Sequence, residues 1–137
     1  MFIQNKNINV SKVMLATDDF PVVSEGTILK EVLEKMDTFR LGIACIVDNE
    51  DELLGIITDG DIRRKLLSMQ RPLPAFFIDD AINQAIKSPI TAPSDLSLTK
   101  AISLMEASQV WDLPVVDNGK LVGLLHLHAA IKEILLS

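Results

Sequence analysis

Thr58, Asp61, Arg63 and Arg64 stand together in Gly55-Ile-Ile-Thr-Asp-Gly-Asp-Ile-Arg-Arg64, and no other stretch concentrates side chains so well suited to a ligand. A carboxylate can accept hydrogen bonds from both hydroxyls of a cis-diol such as a ribose, and a threonine hydroxyl can join it. Two arginines beside the unpaired amides of a helix start favour an anion, phosphate above all. Together these residue types point to a nucleotide. The tetrapeptide Thr58-Asp59-Gly60-Asp61 is equally an ordinary strand-to-helix turn, in which Gly60 supplies backbone freedom.

Positioning these groups requires a strand, a turn and a helix in quick succession. Ile56 and Ile57 carry strand propensity, and Asp61 directly precedes the periodic run Ile62, Leu66, Leu67. Asp61 is therefore expected to be the N-cap of a helix running to about Ser68. Arg63 and Arg64 would then occupy its first turn, where a cation costs roughly 0.3–1 kcal/mol unless an anion accompanies it.

The remaining chemistry is sparse. Cys45, the only cysteine, lies in Ile43-Ala-Cys-Ile-Val47 and reads as a small buried hydrophobe. Neither histidine is near it in sequence, and no acid is paired with either. His126 and His128, two apart at a strand end, would project from one face as half of a metal site, but only Glu133 follows as an acid on the next helix. No metal, catalytic residue or required cofactor is assigned.

With 137 residues, 48% hydrophobic and 23% charged, the chain can bury a substantial core. A net charge of −6 and a pI near 4.8 argue against nucleic acid as a partner, since phosphate binding needs a basic face. No apolar run approaches the 18 or so residues of a membrane span, and residues 1–6 lack the layout of a signal peptide. A cytosolic protein is expected.

An internal repeat organises the whole. Leu29 and Met36 recur as Leu98 and Met105, and Val47-Asp48-Asn49 recurs as Val116-Asp117-Asn118, each 69 residues later. Beyond the turn Gly55 matches Gly123, so the second copy's loop is one residue shorter. The first copy reads as an extended piece Pro21–Val23, a helix carrying Ile28, Val32, Leu33 and Met36, strands Ile43–Val47 and Leu54–Thr58 joined by an acidic turn, and the helix to Ser68. The second reads as Ile90–Thr91 extended, a helix Leu98–Ala107, strands Leu113–Val116 and Leu121–Leu125 about an Asn118-Gly119 turn, and a helix ending near Leu136. The predicted class is thus α/β (α+β), two β-α-β-β-α units. Copy 1 spans 10–68 and copy 2 spans 79–136. Residues 69–78 are expected to be a linker in which Pro72 and Pro74 disfavour helix. A short helix Ala81–Lys87, capped by Asp79 or Asp80, precedes copy 2 as Asn9–Leu15 precedes copy 1. In the second copy His126 falls at the place of Thr58, His128 at Gly60, Ala129 at Asp61 and Trp111 at Gly42, so the carboxylate is absent.

Tandem units of this length, each with Ile-Val-Asp or Val-Val-Asp before a hairpin, and with Gly55-Ile-Ile-Thr-Asp-Gly-Asp61 in the first, resemble a cystathionine-β-synthase (CBS) domain pair, or Bateman module. The resemblance implies a pseudo-twofold arrangement with clefts between repeats for adenosine nucleotides or similar ligands, and a regulatory rather than catalytic role. It further implies that Asp61 holds the ribose and Thr58 the ribose or phosphate. Gly42, Ile43 and Ser88 to Ile90 would complete the cleft, Ile43 and Ile90 flanking the base, with Arg63 and Arg64 on phosphate. His126, His128, Trp111, Asp112 and Val22 would line a second cleft. Trp111 could stack a base there or serve in a core or interface, and Asp112 could be a turn residue or a charge in that cleft. Ala129 departs from the family's pattern.

Val13-Met14, Asp18-Asp19-Phe-Pro-Val22, Thr58-Asp-Gly-Asp-Ile-Arg-Arg64 and Leu124-Leu-His-Leu-His128 look more closely like the C-terminal CBS pair of bacterial D-arabinose-5-phosphate isomerases. In those proteins a sugar-isomerase (SIS) domain performs the chemistry. That domain is missing from this sequence, which implies a fragment or isolated regulatory module, with an adenine nucleotide or CMP-sugar as candidate ligand and a homodimer as candidate assembly. Sugar nucleotidyltransferases carry a similar Thr-Asp-Gly-Asp-Ile-Arg-Arg module, and a ligand-free dimerisation module is the other alternative. A free-standing enzyme fits least, because no catalytic constellation accompanies a Gly-rich phosphate loop.

Overall fold

The computed structural model describes residues 8–70 and 72–136; residues 1–6, where a signal peptide would begin, and Arg71 of the expected linker lie outside them. In chain order the elements are α1 (Val10–Val13), β1 (Val22–Ser24), α2 (Leu29–Phe39), β2 (Ile43–Val47), β3 (Leu53–Thr58), α3 (Asp59–Ser68), α4 (Leu73–Phe77), a 3-10 helix (Ala81–Gln84), α5 (Leu98–Ser108), β4 (Asp112–Asp117), β5 (Lys120–His126) and α6 (Leu127–Leu136). The chain divides into two compact units, Asp18–Pro89 and Met1–Thr17 with Ile90–Ser137. Among the described residues no helix is long and apolar enough to cross a membrane.

In the unit Asp18–Pro89 a three-stranded sheet runs β1-β2-β3, with β1 parallel to β2 and β2 antiparallel to β3. All five residues of β2 are buried, as befits a central strand covered on both faces. Leu29, Val32 and Met36 bury one face of α2 against Ala44, Ile46 and Ile57, and Ile62 joins them from α3. The register sets Ile43 beside Thr58 and so fixes where the strand hands over to α3.

Three expectations are corrected in this unit. α3 starts at Asp59, its cap three residues earlier than expected, because the Thr58 side chain takes the cap by accepting from the Asp61 amide at 3.2 Å. Asp61 is thus an acid of the first turn, not the N-cap, and Arg63 and Arg64 fall in the second turn. The proline stretch also contains a helix, α4. Pro72 is its N-cap and Pro74 lies within its first turn, where a missing N–H costs little, and Phe76 is 1% exposed in the core. The helix expected over Ala81–Lys87 is only the 3-10 turn Ala81–Gln84. Asp80 stands at its N-cap position, as expected of one of the two aspartates, but its side chain makes no capping bond; Asp79 accepts from the side chains of Asn83 and Gln84 at 3.0 and 2.8 Å.

The other unit carries the hairpin β4-β5, turned by Asn118 (φ 53°) and Gly119 (φ 83°), a pair of left-handed residues suited to a tight hairpin. Leu98, Ala101 and Met105 of α5 pack with Leu113, Val115, Leu125, Ala130 and Val10. The extended piece expected at Ile90–Thr91 reduces to a single parallel bridge, Ala92 to Val115. Pro93 and Pro114 flank that bridge and have no N–H with which to extend a ladder.

Each unit takes its lead-in segment from beyond its own copy. Val10 and Ser11 donate to Leu96 and Ser94 carbonyls at 2.9 and 3.0 Å, and Leu15 pairs with Leu124. Ile86 pairs with Ile56, and Ala81 donates to Thr27 at 2.8 Å. Linear copies and compact units are therefore different partitions of the chain. Arg40 (φ 58°) ends α2 and Gln109 (φ 56°) ends α5 in the same left-handed conformation, so the duplication reaches down to backbone angles.

Candidate functional site

The start of α3 gathers most of the expected ligand residues. Asp59 donates its amide to the Gly42 carbonyl at 3.0 Å, tying the end of β3 to the lead into β2. A Cβ on Gly42 would stand 2.8 Å from Asp59 Oδ2, so a residue without a side chain is what lets this carboxylate lie there. Thr58 Oγ1 accepts from the Asp61 amide and keeps its own hydroxyl hydrogen to donate.

Asp61 carries the most telling feature. Its Oδ2 is buried and has no hydrogen-bond partner among the described residues. Arg63 and Arg64 are exposed, yet both guanidiniums fold back toward the helix start: a Cβ on Gly60 would lie 3.2 Å from Arg64 Nη1 and 3.7 Å from Arg63 Nη2. One short segment thus presents an orphan anionic acceptor, a hydroxyl donor and two guanidiniums beside helix amides. That set can grip a sugar hydroxyl through the acid and an anion through the cations.

The equivalent edge of the other unit has the same backbone and different chemistry. Leu127 donates to the Trp111 carbonyl at 2.9 Å, matching Asp59 on Gly42. His126, at the place of Thr58, points its Nδ1 to Asp112 Oδ1 at 2.7 Å, and the two are partners across the hairpin. An acid is therefore paired with a histidine, contrary to expectation, and Asp112 is neither a turn residue nor an open charge but a strand residue whose side chain is 9% exposed. Trp111 is 72% exposed and so is no part of the core.

A sequence profile of the CBS domain matches residues 10–68 and 78–136. The chain belongs to the CBS domain family. It is 35% identical over 134 residues to an uncharacterized protein of Chlamydia pneumoniae, covering 95% of this chain and 40% of that one. It is 29% identical over 125 residues to the arabinose 5-phosphate isomerase KdsD of Yersinia pestis, covering 91% of this chain and 37% of that one. The chain thus spans well under half the length of these relatives. Among solved structures, CBSX2 in complex with AMP superposes with a TM-score of 0.81 at 22% identity, covering 93% of this chain and 96% of that one, a likeness of fold.

Within this CBS pair the expected residues separate cleanly. Gly42, Thr58, Asp61, Arg63 and Arg64 come together at the start of α3. Ile43 is buried at 1% exposure beside Thr58, and Val22 is half-buried in β1. Ser88 is exposed in the same unit, and Ile90, 44% exposed, belongs to the other. His128 is exposed near His126 in the second CBS repeat, their ring centres 6.5 Å apart. Asp59 was missed by sequence reasoning, although its place between two expected ligand residues was a signal.

Proposed function

We propose that this CBS pair is a regulatory module that binds a nucleotide or nucleotide-sugar at the start of α3 and controls a sugar-phosphate isomerase domain carried elsewhere in its parent protein. The observation that carries this reading is the buried Oδ2 of Asp61, which has no partner among the described residues, beside the Thr58 hydroxyl. A buried anionic oxygen left without a donor is costly, and a ribose hydroxyl would satisfy it. Arg63 and Arg64 supply the countercharge for phosphate. An adenine nucleotide is the first candidate, supported by the likeness of fold to CBSX2, solved with AMP; a CMP-sugar is the second. The isomerase assignment draws on the similarity to KdsD. A homodimer is supported by exposed apolar residues on two helices, Leu67 (81%) on α3 and Leu135 (75%) on α6.

Thermal shift and calorimetry with AMP, ATP and a CMP-sugar test the reading, since a ligand of the folded state raises stability by RT ln(1 + [L]/Kd). Binding that weakens in Asp61→Ala supports it; no response to any of the three overturns it. The chain alone is expected to give no isomerase turnover. The exposed leucines also favour a second reading, a dimerisation module without ligand, which predicts association that no nucleotide alters.

A further inference from the structure

The second CBS repeat holds the chain's only two histidines, His126 and His128. Asp112 Oδ1 lies 2.7 Å from His126 Nδ1, with the carboxylate almost wholly buried and the imidazole about one-third exposed. A neutral imidazole has one N–H and one lone pair. With Nδ1–H donated to the acid, the lone pair is on Nε2, at the far side of the ring, and no hydrogen bond to it exists among the described residues. This carboxylate–imidazole pairing is the arrangement that orients histidines toward metal ions, fixing the tautomer and raising ligand basicity.

His128 stands on the first turn of α6 and is exposed, its ring centre 6.5 Å from that of His126 and tilted by 47°. Two imidazoles on one ion, each about 2.0–2.1 Å from it through nitrogen, bring their ring centres to roughly 5 Å. Rotation of the exposed His128 side chain spans that difference. We infer that His126 and His128 form a two-histidine site for a borderline divalent ion such as zinc or cobalt, with Asp112 as the residue that orients His126. No group of three or more metal-ligating side chains exists among the described residues, so water fills the remaining positions. Imidazole nitrogens suit such ions far better than magnesium or calcium, and the buried Cys45 does not compete.

Titration of the chain with zinc chloride by calorimetry, and with cobalt(II) chloride by visible absorption, tests this. One equivalent per chain is expected, with both histidine ring signals perturbed together in NMR spectra. His126→Ala and His128→Ala should each weaken zinc by at least tenfold, and Asp112→Asn by about 10–100-fold. Should Asp112→Asn be poorly folded, the ring-nitrogen shifts of the wild-type chain decide instead: coordination through His126 Nε2 with Nδ1 still protonated is expected. Zinc binding equal in wild type and the double histidine variant overturns the site. An Asp112→Asn protein that melts lower yet binds zinc unchanged overturns the orienting role of Asp112, since the pair would then only fasten the hairpin end.

Discussion

Replacing Asp61 by alanine should leave the ligand-free protein as stable as before or more so while crippling nucleotide binding. The wild-type carboxylate sits in the first turn of α3, where an acid contributes about 0.3–1 kcal/mol against the helix dipole. Its Oδ2 is nevertheless buried with no partner among the described residues, a condition costing about 1–3 kcal/mol or more. The second effect is the larger at most combinations of these values, so the variant is expected to gain between nothing and about 2.7 kcal/mol. At about 4 °C per kcal/mol for a chain of this size, the melting temperature stays or rises by up to about 11 °C. With AMP at a hundred times its wild-type Kd, stabilisation is about 2.7 kcal/mol. Losing one charge-assisted hydrogen bond weakens binding roughly tenfold to hundredfold, which at the same AMP concentration leaves about 1.4 to 0.4 kcal/mol. A pair of melting curves per protein, with and without AMP, reads both numbers. An Asp61→Ala protein that melts lower and keeps its full AMP shift would refute the reasoning, for the acid would then serve the helix and not the ligand.

Thr58→Ala should cost about 1 kcal/mol in denaturant melts through loss of the cap to the Asp61 amide, and also weaken AMP binding in calorimetry. Phe76→Ala should destabilise by about 3–5 kcal/mol, because α4 inserts this ring into the core; a cost below 1 kcal/mol would return the segment to the status of a linker. Asp117 is held below its ordinary value by the Ser94 hydroxyl, at 2.6 Å, and then by the Ser94 amide, at 2.9 Å. Its contribution is therefore present above the usual carboxylate range near about pH 4 and lost as pH falls through the depressed value. Urea melts from neutral to acid pH should show the stability gap between wild type and Ser94→Ala shrinking on acidification.

Strand and helix identities were legible wherever period and buried run agreed. β2 coincides with the expected Ile43–Val47, and α5 with its pattern to within one residue. What escaped was decided by contacts distant in sequence. α4 was hidden because two prolines read locally as breakers, whereas Pro72 and Pro74 occupy the helix start, where they are tolerated. The cap at α3 was misassigned because Thr58 and Asp61 are both good capping residues, and the register that ends β3 at Thr58 is set by its pairing with Ile43. The exchange of lead-in segments leaves no local signature, since Ile86 meets Ile56 only in the folded sheet. The Asp112–His126 contact was within reach: if Ile43 opposes Thr58 in one hairpin, the repeat places Asp112 opposite His126 in the other.

That correspondence also bears on how many nucleotides the chain should hold. Both repeats preserve the backbone junction, Asp59 on Gly42 and Leu127 on Trp111, so the scaffold for a site exists twice. The side chains do not repeat. Ala129 offers no acceptor where Asp61 has one, and His126 is engaged by Asp112 where Thr58 keeps a hydroxyl to donate. Trp111 stands where Gly42 leaves room for a carboxylate. A site that recognises a diol through an anionic oxygen cannot be rebuilt from imidazole, indole and a methyl group, so one nucleotide per chain is expected in calorimetry. Two equal nucleotide sites would mean that affinity comes from the backbone junction common to both repeats, and that the acid of α3 does not select the ligand.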